Sequence, residues 1–124
     1  MNRFLAVTAV IEVGAGLGLV ALPDVVVKLL LGADISGAAV PLGRVAGVAL
    51  LALGLACWLA RGHAASALAS AMLLYNCGVA LLLGMAGVVS GMTGVLLWPA
   101  IALHAVMAVW SLMIRRLRLN SVSI

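Results

Sequence analysis

Four long apolar stretches dominate this chain, and they leave few ways for it to fold. They run from about Phe4 to Leu22, Val40 to Ala60, Ala64 to Gly87 and Val95 to Ile114. Each is close to the roughly 20 residues that a helix needs to cross the hydrocarbon core of a bilayer. The rest of the composition agrees. The chain is 67% hydrophobic and 8% charged, with a mean hydropathy of +1.37. A water-soluble domain of 124 residues needs far more polar surface. The expectation is one all-α domain, an integral membrane four-helix bundle, over residues 1–124.

The segments between the spans refine this picture. Asp24 to Gly32 reads as a short interfacial helix after the first span, too short to cross. Asp24 is the expected N-cap and Gly32 the expected stop. Asp24 and Lys28, four residues apart, are expected to pair. Ser90 to Gly94 reads as a turn. Pro99 falls in the first turns of the last span, where a proline is tolerated. Arg115, Arg116 and Arg118 are expected to end that span, with Asn120 to Ile124 frayed behind it. Arg3 and the first apolar run would suit a signal peptide, but Glu12 at its centre and three further spans argue against cleavage.

Net charge is +4. In a soluble protein that would raise nucleic acid as a partner. Here most basic residues flank the spans and report topology instead. With both termini cytoplasmic, the inner side holds Arg3, Arg61, Arg115, Arg116 and Arg118, and the outer side holds Lys28 and Arg44. Trp58 and Trp110 then fall near the inner interface and Trp98 near the outer one. A bacterial-type inner membrane, with the lipid bilayer as first partner, is the expected setting. The arginine-bearing tail is suited to anionic lipid.

Three polar residues sit near the midpoints of three spans: Glu12, Asn76 and His104. Their depths agree to within roughly 3 Å at a rise of 1.5 Å per residue. Arg44 lies about 9 Å further out, within reach either of Glu12 or of the outer interface. Each rides on a helical stripe rich in small residues, such as Thr8, Glu12 and Gly16, or Ala100, His104 and Ala108. Small residues let membrane helices approach closely, so all four side chains are expected in one interior. Ionisable groups at such depth usually mark function. This set can relay a proton, hold a small polar ligand, or form a structural network, with Glu12 paired to Arg44. Tyr75 lies about 100° around its helix from Asn76 and is not expected to act with it. Asp24, Lys28, Asp34 and His63 read as solvated.

Other chemistry finds little support. Cys57 and Cys77 differ in depth by roughly 10 Å, too far for a disulfide, and read as small apolar fillers. One histidine at depth does not make a bis-histidine haem site, and the available metal ligands are few. Aromatic residues make up 4% of the chain, so a large flat cofactor has few stacking partners. No catalytic motif of a soluble enzyme is present. No cofactor is expected.

Gly16-Leu17-Gly18-Leu19 through Pro23, Leu29-Leu30-Leu31-Gly32, Gly43-Arg44 and Leu53-Gly54-Leu55 resemble small four-span bacterial inner-membrane proteins of the DoxX-like kind. The resemblance covers the first half of the chain. The founding type of that family is associated with quinone-linked sulfur oxidation. Ile11-Glu12-Val13-Gly14 also resembles the first-span carboxylate of small multidrug resistance transporters. That resemblance implies proton coupling at Glu12, but the long loop before Ala39, Arg44 and His104 depart from the pattern. Three functions stay open. The first is an accessory or scaffold subunit of a larger membrane complex. The second is a proton-coupled transporter or ligand-binding protein using Glu12 and His104, with transport favouring a homo-oligomer. The third is a quinone-linked redox subunit.

Overall fold

The computed structural model describes residues 1–61 and 65–122. Five helices follow one another: α1 (Asn2–Ala21), α2 (Pro23–Leu31), α3 (Ala39–Leu59), α4 (Ala65–Val88) and α5 (Leu97–Val122). There is no strand among the described residues. All but α2 are long and apolar enough to cross a membrane, and their bounds fall within a few residues of the expected spans.

α1 and α3 form one hairpin, α4 and α5 the other. The first is held by close backbone approach. A Cβ on Gly47 would lie 2.8 Å from the Gly16 carbonyl oxygen, and one on Gly54 would lie 2.8 Å from Val13 Cγ2. Helices this close leave room only for hydrogen at the crossing. In the second hairpin, Ser111 Oγ donates to the Ala69 carbonyl at 2.6 Å.

The hairpins meet at the end that carries Met1 and Arg61. Phe4, Leu5, Cys57, Ala69, Met72 and Met107 form a buried core there. Phe4 meets Trp110 edge-on, with ring centroids 5.5 Å apart. Arg61 places its guanidinium 3.4 Å over the Trp58 ring, and its Nε donates to the Trp58 carbonyl.

At the opposite end α2 lies between the hairpins. Pro23, not Asp24, opens it, with Leu22 as N-cap and no side-chain cap bond. Proline suits this place because its fixed φ is already helical and its missing N–H has no partner to lose. Gly32 closes α2 with φ 73°, the left-handed cap that glycine adopts without strain. The chain then folds back, and Lys28 pairs with Asp34 at 2.9 Å rather than with Asp24. The exposed Asp34 carboxylate holds the Lys28 ammonium above its ordinary pKa, by hydrogen bond first and charge second. Any stabilisation from this pair is present below the unfolded-state pKa of lysine and is lost as pH rises through the folded value. Asp34→Asn should return Lys28 to its ordinary value and leave stability unchanged, as both side chains are solvated. Lysine nitrogen resonances followed through a pH titration would check this. An unmoved Lys28 would contradict the pairing.

α2 is clasped to the α4–α5 turn. Leu96 N–H donates to the Leu29 carbonyl at 2.8 Å, and Gly94 packs directly against the Leu30 backbone. α5 then outruns its expected end and continues through Arg115 to Val122. Arginine and leucine favour the helix and no proline or glycine interrupts it, so the expected fraying at Asn120 is corrected as far as Val122. Ser123 and Ile124 lie outside the described residues, as does His63. Both cysteines are free. Cys57 is a buried filler, but Cys77 is exposed and fills no interior gap.

Candidate binding site between the hairpins

Glu12, Asn76 and His104 converge, on α1, α4 and α5 respectively. Glu12 and Asn76 are buried, and His104 is half-buried. Asn76 is oriented by its own helix. Its Nδ2 donates to the Met72 carbonyl one turn back, at 2.7 Å. That leaves Asn76 Oδ1 facing His104 Nδ1 at 2.9 Å.

Arg44 does not join them. It is exposed on α3, and no ion pair to Glu12 forms among the described residues. The cause lies one turn further along, where Gly47 brings α3 against α1 at backbone distance. A crossing that excludes even a methyl group has no space for an arginine beside it, so Arg44 turns outward. Of the two orientations open to Arg44 it takes the outward one, and the expected four-residue interior is corrected to Glu12, Asn76 and His104.

Tyr75, not Arg44, is the partner of Glu12. Its hydroxyl donates to Glu12 Oε2 at 3.1 Å, and its ring meets the His104 imidazole edge-on at 5.7 Å. The 100° offset from Asn76 does not separate the two, because each faces a different neighbour. Asn76 bonds to α5, while Tyr75 reaches across to α1. Tyr75 is the only tyrosine in the chain, and a lone phenol at the depth of a buried carboxylate was the available signal. Thr8, one turn before Glu12, is also buried, and its Oγ1 has no hydrogen-bond partner among the described residues.

No known family model, curated protein or solved structure matches this chain. The site therefore stands on its own geometry.

A cavity of about 510 Å³ opens beside the polar group. Glu12, Tyr75 and His104 line it at one end, and Val26 and Leu30 of α2 line it at the other. Its remaining wall is almost wholly apolar, including Leu19, Leu50, Leu83 and Leu103. The cavity exists because the hairpins pack tightly only at their Phe4 end and are held apart by α2 at the other. Among the described residues no three His, Cys, Asp or Glu side chains group as metal ligands. The arrangement suits an apolar body with one polar end.

Proposed function

We propose that this chain is a multi-pass protein of a bacterial-type inner membrane, with both termini cytoplasmic, that binds a small apolar molecule between its hairpins. The membrane setting is supported by helix faces that are apolar outward. Leu42, Leu59, Leu74, Leu82 and Val89 are each at least 67% exposed, which in water would be an aggregation-prone surface. Orientation is supported by the arginines at the Met1 end.

The observation that carries the binding role is the cavity, with a carboxylate, a phenol and an imidazole at one end. Binding pockets are concave and mostly apolar, with a few convergent polar groups. The shape favours binding over through-passage, since the core of Phe4, Leu5, Met72 and Met107 closes the side towards Met1. A scaffold subunit, the first expectation from sequence, has no need of such a space.

Ala100→Phe tests this reading. Ala100 lines the cavity one turn before His104, and a ring there fills space while Glu12, Tyr75 and His104 are all retained. Wild-type protein in lipid nanodiscs should bind an environment-sensitive apolar dye saturably. The variant should keep its helical circular dichroism and bind at least about tenfold more weakly, the order expected when a ligand loses a well-fitted apolar contact. Equal binding by both proteins would remove the cavity as the site.

A further inference from the structure

We propose that the ligand carries a hydrogen-bond donor at its polar end, a hydroxyl or an ammonium on an apolar body. The inference rests on the binding role above and names the class of molecule that the same cavity selects. It follows from where the protons of the polar group point.

Asn76 settles the first of them. Its Nδ2 donates to a carbonyl, which can only accept. The amide is thereby oriented, and Oδ1, also only an acceptor, faces His104 Nδ1. His104 Nδ1 must therefore carry the hydrogen of that bond. In a neutral imidazole the other nitrogen then holds a lone pair. His104 Nε2 has no protein partner among the described residues, and His104 lines the cavity.

Tyr75 settles the second. Its hydroxyl hydrogen goes to Glu12 Oε2, so the phenol oxygen offers lone pairs only. Glu12 as a carboxylate accepts at both oxygens, and Oε1 has no partner among the described residues. Glu12, Tyr75 and His104 all line the cavity. With Glu12 ionised and His104 neutral, the positions that Glu12, Tyr75 and His104 leave open to the cavity are acceptors.

A bare ketone, ether or oxidised quinone would bring lone pairs against lone pairs. An anionic head would fare worse. It would face the Glu12 carboxylate, and no arginine or lysine among the described residues lines the cavity to offset the charge. A hydroxyl or ammonium satisfies the acceptors and replaces the hydrogen bonds it gave up in water. A hydrogen bond to a charged group is worth about tenfold in affinity or more, enough to rank donors above isosteric acceptors.

The test uses four probes of nearly one shape on the wild-type protein in nanodiscs, by calorimetry. Naphthol and naphthylmethylammonium carry a donor, methoxynaphthalene only an acceptor, and naphthoate a negative charge. The expected result is that one or both donors bind at least about tenfold tighter than the ether and the carboxylate, the factor one such hydrogen bond supplies. Naphthol alone would assign a neutral hydroxyl, and naphthylmethylammonium alone a cation. If the ether or naphthoate binds as tightly as the donors, the donor rule is overturned while the cavity stands. If none of the four binds saturably, the binding role falls and the donor rule with it. Glu12→Gln adds a second readout. Its amide keeps an acceptor for Tyr75 and turns an N–H₂ to the cavity, so methoxynaphthalene should gain on naphthol. An unchanged order would overturn the assignment of Glu12 as the selecting acceptor.

Discussion

Gly47→Leu is expected to separate α1 from α3 and to destabilise the protein by about 3 kcal/mol, the upper range for overpacking a close contact. Even a Cβ at Gly47 would lie 2.8 Å from both the Gly16 carbonyl oxygen and the Val20 nitrogen. These are backbone atoms, and no rotamer change relieves the clash. The helices must part, and the small-residue contacts along Gly16 and Gly54 are lost with them. Gly78→Leu is the control, since a Cβ at Gly78 meets nothing within 4 Å. It replaces a poor helix former with a good one and should change stability by no more than about 1 kcal/mol in its favour. Reversible unfolding in mixed micelles, followed by circular dichroism, would compare the two. Equal losses would mean that the α1–α3 crossing is not a tight joint.

Asn76→Leu is expected to act on both stability and binding. The leucine fills the volume but gives His104 Nδ1 no acceptor. A buried donor left without a partner costs about 1–3 kcal/mol. The ring also loses the bond that selects its tautomer, so ligand affinity should fall by about tenfold, the value of one hydrogen bond. Ring nitrogen shifts distinguish the two tautomers directly. With only two histidines in the chain, His63 and His104, the assignment is tractable. Wild-type His104 should show hydrogen on Nδ1, Asn76→Asp should keep it there, and Asn76→Leu should not. A wild-type ring with hydrogen on Nε2 would contradict both the orientation of Asn76 and the donor rule.

Much of this arrangement is legible in the sequence. Apolar length is a local property, so the four long helices can be read directly. Depth along a helix is equally local, and it brings Glu12, Asn76 and His104 to one level. Rotation is less legible, because it depends on which neighbour comes closest. Arg44 shares a coarse stripe with Gly47, but the backbone contact at Gly47 decides that Arg44 faces out. Side-chain reach is also hidden. Tyr75 looks displaced from Asn76 on a helical projection, yet its length carries its hydroxyl across to α1. Asp24 and Lys28 have ideal helical spacing, and Asp34 still takes the lysine because the left-handed turn at Gly32 brings it back. α2 on the α4–α5 turn joins segments more than sixty residues apart, and no periodicity reports such a contact.

The clasp between α2 and the α4–α5 turn divides labour within α2. The turn from Gly94 to Leu96 holds Leu29 and Leu30 by their main-chain atoms, while the Val26 and Leu30 side chains face the cavity. Frame and lining are thus separable. Exchanging the side chains at positions 26 and 30 should reshape the cavity while the main-chain clasp stays in place. A designer wanting a family of receptors from one scaffold would begin with those two positions and leave Gly94 alone.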